Sequence, residues 1–414
     1  MKRLFPFVWV TGFTALALLS IRDARLCHWL TVLPAAWGVG MALGTRTGRT
    51  RRYFATVAIL TGGYALLVGA MWWLAAVTPD WDYLREVGPF LLAGMLAPAV
   101  SLEAGPISAE KWKWAWLGLF FVTGMVIEAN NLRLIDYHRL QTQFIHPTWE
   151  IWTEKYYTYW LLLLVWAVVA FFSWRRKVDR LVILGLVGLT AMLIWCSGRS
   201  ARSLGILASG VAVYSLLNTV ALSPRQLKIG LALLVLWWGA APWLFEAFDL
   251  SQVDPRVGER TRIYRATHDL ILQRPWTGHG FGQSAALKHP LLPKRFLQHL
   301  PGGHPHNLAL LFWLEYGLAG ALFLCAATWY LLRRVIDCAA GRGAWPALAA
   351  LIVSFVAMVS FSWDIWEYSI ILFYAAFAAL VVLILNLDDG PAADGRKLAA
   401  AGVGAPASRE PDEP

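Results

Sequence analysis

The chain has 414 residues, of which 58% are apolar and 15% charged, against about 45–50% and about 25% in an ordinary soluble domain. Apolar runs of sixteen to twenty-five residues separate short clusters of charge, matching the ~20 residues that a helix needs to cross a bilayer. This excludes a soluble enzyme, a secreted disulfide scaffold and a disordered chain, and leaves an all-α polytopic membrane protein.

In chain order the N-terminal run from Phe5 to Ser20 follows Lys2 and Arg3 like a signal peptide. It ends in IRDARLC rather than in small residues, so it is expected to be retained as a first span. Twelve spans are expected near 5–20, 27–44, 53–77, 88–103, 114–130, 156–174, 181–196, 203–221, 228–245, 307–331, 346–362 and 367–385. Residues 1–387 form one transmembrane domain, with a long loop at 246–306 between the ninth and tenth spans. Residues 388–414, rich in Ala, Gly, Pro and charge, form a disordered tail.

The net charge of +10 comes from 36 Lys and Arg against 26 Asp and Glu. With Met1 inside, alternate loops and the termini hold 20 basic residues and the other side 16, eight of which lie in the single long loop. Long loops cross a membrane regardless of charge, so both termini are expected in the cytoplasm, and nucleic acid is not an expected partner. The four cysteines, Cys27, Cys196, Cys325 and Cys338, have neither disulfide nor metal spacing. Trp72, Trp73, Trp112, Trp114, Trp116, Trp174, Trp363 and Trp366 lie near span ends and read as an interfacial belt.

The long outward loop is the anomaly. It holds six of the nine histidines (His268, His279, His289, His299, His304 and His306) and eight basic residues, opposed by five acidic ones. An outward loop this basic points either to an anionic ligand, phosphate first, or to lipid headgroups. Within it, RTRIYRATHDLILQ (260–273) has Ile263, Thr267, Leu270 and Ile271 at helical spacing, with Arg262, Arg265 and Asp269 opposite. That pattern predicts a short amphipathic helix along the membrane surface, its N-terminal dipole adding to Arg260 and Arg262. The GHGFG at 278–282 follows no strand and reads as a turn.

Two shorter outward features accompany it. In SGRSARS, Arg199 and Arg202 lie between spans and either bind an anion or snorkel to headgroups. In GGHPHNLALLFWLEYGLAG (302–320), His304 and His306 precede Asn307, a good N-cap for the next helix. Glu315 lies eight residues farther on, about 12 Å along a helix, where a carboxylate should be buried in protein, paired or protonated. Gly317 and Gly320 read as sites of close helix packing. No third ligand accompanies the two histidines and no DxD occurs in the outward loops, so no metal and no other cofactor is expected.

HPHNLALLFWLEYGLAG, RTRIYRATHDLILQRPWTGHGFG and SGRSARSLGIL together resemble motifs of the O-antigen ligase and polymerase superfamily of bacterial inner membranes, with Tyr264 where Trp is usual. The motifs cover about a quarter of the chain. The resemblance implies a glycosyltransferase working on the periplasmic side. Its donor would be undecaprenyl-pyrophosphate-linked O-antigen and its acceptor the lipid A–core oligosaccharide, with neither metal nor nucleotide sugar. By position in the family pattern His306 is the expected base, with His304 second. Arg265 or Arg260, and Arg199 or Arg202, are the expected pyrophosphate ligands, supported by Asn307, Glu315 and Arg262. A neutral histidine suits a base near pH 7, and arginines can stabilise a pyrophosphate leaving group without a cation. Direct displacement would invert the anomeric carbon. An O-antigen polymerase or protein O-oligosaccharyltransferase shares the donor. A transporter of an anionic or lipid-linked solute would instead place its charge near the midplane, on broken helices in two related halves.

Overall fold

The computed structural model describes residues 48–75, 107–131, 150–196, 200–220, 222–247, 255–283, 287, 289–291, 305, 307–340, 342–361, 377–378 and 380–387. In chain order the helices are α1 (Gly48–Ala75), α2 (Ala109–Asn131), α3 (Glu150–Val169), α4 (Lys177–Cys196) and α5 (Ser200–Thr219). They continue with α6 (Pro224–Gly239), α7 (Ala241–Ala247), α8 (Pro255–Gln273), α9 (Leu308–Ala339) and α10 (Trp345–Phe361). Eight of the twelve predicted spans fall on these helices. The spans predicted at 5–20, 27–44 and 88–103, and most of 367–385, lie outside the described residues. Among the described helices, α4 and α9 are long and apolar enough to cross a membrane. Phe54–Ala70, Thr158–Val169, Ser203–Thr219 and Trp345–Ser360 are shorter apolar stretches.

The core is built around α3. From Tyr159 to Phe172 every side chain is buried, as expected of a helix that is hydrophobic all round. α2, α4, α5 and α10 pack around it. Gly210 marks the tightest crossing: a Cβ there would lie 2.6 Å from both the Trp166 ring and Ser354 Oγ. The Trp166 indole donates to that same Ser354 Oγ at 2.9 Å, so α3, α5 and α10 meet at one point. Trp116, read from the sequence as part of the interfacial belt, is instead buried and stacked on Phe171. α4 buries Ile183, Leu186, Thr190, Leu193 and Ile194, yet exposes Leu181, Leu184, Met192 and Trp195. An outward face this apolar is suited to lipid.

The helices share two ends. At one, the Glu110 carboxylate meets Lys113 at 2.7 Å and Arg176 at 3.3 Å, and Lys228 meets Asp337 at 2.5 Å. Arg342 donates to the Leu385 carbonyl at 2.6 Å and the Ile107 N–H to the Asn386 carbonyl at 2.8 Å, tying these groups into one basic end. α6 starts there with a capping box, Ser223 against Gln226, and with Pro224 in its first turn. Lys228 holds the Asp337 carboxyl below its ordinary value, with Arg333 and Arg334 adding to the effect. Lys113 and then Arg176 lower that of Glu110.

The predicted span at 228–245 divides in two at Ala240. Pro242 supplies no N–H to continue the helical ladder, and the Gly239 carbonyl is taken by the Trp313 indole at 3.1 Å. α7 therefore starts a new direction and carries α8 against it.

Candidate functional site

At the end of the bundle opposite the basic one, α8 packs on α7 and α9. Its buried side is Ile263, Tyr264, Ala266, Thr267, Leu270 and Ile271, while Arg262 and Asp269 are exposed and Arg265 is half-buried. The amphipathic helix is thus present with the predicted faces, but its apolar face lies on protein. Among the described side chains, Leu272 at its far end and Trp276 just beyond are exposed and suited to a lipid interface.

The turn after α8 explains both glycine motifs. α9 is broken at Gly317, whose φ of 60° and ψ of −148° are non-helical. Such a break frees backbone groups that would be costly to leave unpaired in a buried place. The 274–283 segment takes them up. The His279 N–H donates to the Leu314 carbonyl at 2.8 Å, and the Gly280 N–H to the Glu315 carbonyl at 2.9 Å. In return, the Leu318 N–H donates to the Pro275 carbonyl at 2.8 Å. Glu315, fully buried, adds its carboxylate, which accepts the Gly282 N–H at 3.1 Å.

The two segments touch backbone to backbone. A Cβ on Gly278 would lie 2.3 Å from the Glu315 carbonyl carbon, and one on Gly317 would lie 2.6 Å from that of Trp276. Both have positive φ, as do Gly280 and Gly282, a conformation that side chains resist. The His279 ring closes the arrangement from the other side, its Nε2–H donating to the Leu270 carbonyl at 2.8 Å near the end of α8. GHGFG is a turn, as its sequence predicts, but a turn fitted into a broken helix.

Glu315 stands two residues before the break, inside the predicted span 307–331. The carboxylate is buried in protein and paired, as its position predicts.

The start of α9 is fixed as tightly. Asn307 is its N-cap: Oδ1 accepts the Leu310 N–H at 2.9 Å, and Nδ2 donates to the Ser360 carbonyl at 2.6 Å. Ser360 Oγ in turn accepts the Trp238 indole N–H at 3.1 Å. One buried amide thus ties α9 to the end of α10. α5 packs antiparallel along α10 with Gly210 opposite Ser354.

Of the predicted site residues, Arg262, Arg265, Asn307 and Glu315 are described: the two arginines on α8, Asn307 at the head of α9, and Glu315 beside its break against the turn that follows α8. Arg260 lies on α8 and Arg202 in the first turn of α5, by helical position alone. His304, His306 and Arg199 lie outside the described residues. Among the described residues no group of three or more His, Cys, Asp or Glu is gathered as a metal site would require. Sequence reasoning missed the docking of the turn. The available signal was the pairing of two glycine-rich motifs, PWTGHGFG and EYGLAG, that each need a close partner.

Among the described residues, the helical bundle has two helices long and apolar enough to cross a membrane, a basic end, and at the other end a helix break filled by the turn that follows the arginine-bearing α8. Residues 157–325 match the model of the family described as O-antigen ligase, about two-fifths of the chain, running from within α3 through the break in α9. The match supports an O-antigen ligase-type family for this chain. That family implies a bacterial membrane protein with glycosyltransferase-type activity in O-antigen or lipopolysaccharide assembly. No curated protein matches the chain.

Proposed function

We propose that the protein is a lipopolysaccharide O-antigen ligase of the inner membrane. Its basic end and both termini lie in the cytoplasm, and its site is on the periplasmic face. The donor is O-antigen linked to undecaprenyl pyrophosphate and the acceptor is the lipid A–core oligosaccharide.

In this mechanism a core hydroxyl attacks the anomeric carbon from the face opposite the pyrophosphate. The new C–O bond forms as the C–O bond to phosphate breaks, and undecaprenyl pyrophosphate leaves with the electron pair. His306 accepts the hydroxyl proton, with His304 the second candidate. Arg265 or Arg260 on α8 and Arg199 or Arg202 at the head of α5 stabilise the charge on the leaving group by paired hydrogen bonds. Neighbouring arginines favour the neutral, basic form of the histidine. The configuration inverts, and no metal takes part.

The observation that carries this reading is the mutual docking of two motifs. The turn that follows the arginine-bearing α8 is hydrogen-bonded into α9, the helix that begins two residues after His306. A further point bears against transport. A transporter's broken helix offers its freed backbone groups to solute, whereas here the chain's own turn occupies those at Leu314, Glu315 and Leu318.

The test is reconstitution of the purified protein in liposomes with EDTA, undecaprenyl-pyrophosphate-linked glycan and lipid A–core, read as a ladder on a gel. A core-dependent shift is the expected result. Donor chains that lengthen without core would replace the ligase with a polymerase.

A further inference from the structure

We infer that Glu315 is a positioning residue for the transfer reaction. By accepting the Gly282 N–H it locks the 274–283 turn into the break at Gly317. Together with the backbone bonds at His279, Gly280 and Leu318, the lock keeps the turn that follows α8, and with it Arg265, in register with α9, whose Asn307 cap follows His306 in sequence. The role in transfer rests on the function proposed above, whereas the lock is a property of the fold.

Three observations carry it. First, Glu315 is fully buried, yet its carboxylate oxygen lies 3.1 Å from a backbone N–H thirty-three residues earlier in the chain. A buried carboxylate is costly unless it is hydrogen-bonded, and an apolar side chain would fill the same volume without that cost. Second, the turn has little stiffness of its own, because Gly278, Gly280 and Gly282 all have positive φ and glycine loses the most freedom on ordering. The backbone bonds at His279, Gly280 and Leu318 hold the part next to α8. Gly282 lies beyond those backbone bonds, and the Glu315 side chain holds it.

Third, the same residue belongs to both halves of the docking. Its main-chain carbonyl accepts the Gly280 N–H at 2.9 Å while its side chain accepts that of Gly282. Two successive contacts from one residue fix the direction of the turn as well as its position. Arg265 on α8 and the Asn307-capped head of α9 thereby become one unit. A shift of about 1 Å between reacting groups costs on the order of 100-fold in rate, so the lock acts on turnover rather than on donor capture.

The experiment compares full-length wild type, Glu315→Ala and Glu315→Gln by hydrogen–deuterium exchange in detergent and by transfer kinetics in liposomes. Glutamine keeps an oxygen that can accept the Gly282 N–H. The expected result is faster exchange across 280–283 in Glu315→Ala with 320–339 unchanged, and wild-type protection in Glu315→Gln. In transfer, Glu315→Ala loses about 100-fold in kcat with the donor KM within about twofold, while Glu315→Gln stays within about threefold of wild type. If Glu315→Ala does not purify, Glu315→Asp, shorter by one methylene, takes its place with the same expected losses. Wild-type protection or wild-type kcat in the shortened variant overturns the proposal. A Glu315→Gln protein that is protected but inactive also overturns it, because the carboxylate would then act in the chemistry itself. A wild-type protein with no transfer activity defeats the proposed function and with it the role in transfer, while the exchange arms still decide whether the lock exists.

Discussion

The two ends of the bundle are held by opposite means. At the basic end, Glu110 pairs with the buried Lys113 and the exposed Arg176, and Asp337 with Lys228 and Arg333, all partly or largely in solvent except Lys113. Such pairs are weak, screened by salt and tolerant of change. At the far end, the contacts are buried backbone hydrogen bonds, an amide shared between two helices and a carboxylate with no exposure. Those are costly to disturb, because a partner left behind stays unpaired in an apolar place. The basic end buries polar groups too, Lys113, Asp179 and Asn386 among them, but exposed ion pairs predominate there and buried hydrogen bonds at the far end.

The largest effect expected at the far end is on turnover. His306→Ala should lose about 1,000-fold in transfer, within the range for removing a general base, while still binding the donor. A donor-binding assay beside the gel ladder checks both halves, and an active variant would remove His306 from the mechanism. Next comes the docking itself. Gly278→Ala should lose at least about 100-fold, close to 3 kcal/mol of barrier, since its Cβ would meet the Glu315 backbone at 2.3 Å. Wild-type activity in that variant would show that the turn can leave the break at no cost.

Asn307→Ala should follow with a loss of about 1 kcal/mol from the cap and a similar amount from the Ser360 tie. A melting curve in detergent reads it. The smallest effect belongs to the basic end: Asp337→Asn should leave transfer unchanged at neutral pH. Asp337 and Glu110 have folded values below their ordinary ones. Their stabilisation is therefore present above the unfolded carboxylate range and is lost as pH falls through the folded values. An acid titration of the melting temperature should accordingly differ between wild type and Asp337→Asn at neutral pH, and the two curves should converge below about pH 4.

Much of this contrast was legible in the sequence. Hydropathy located the described helices, because a bilayer demands long apolar runs. Asn307 was readable as a cap from its place before an apolar run, and α8 from its helical spacing. Charge counting gathered Lys111, Arg175, Arg225 and Arg333 to one side. What hydropathy cannot register is a break filled by protein: Gly317 lies inside an apolar run, and nothing local says that the helix stops there. The division at Ala240 was hidden likewise, although Pro242 marked it. Trp116 was misplaced because an aromatic near a span end fits either the interface or the core, and only Phe171 decides between them.

The fit between Gly278 and Gly317 has a consequence for anyone exchanging parts between related proteins. Each glycine is shaped by the other's backbone, so neither segment is a module in its own right. A chimera that takes 255–306 from one parent and α9 from another should assemble only when both bring matching halves. The smallest exchangeable piece is therefore the whole stretch from Pro255 to Gly320.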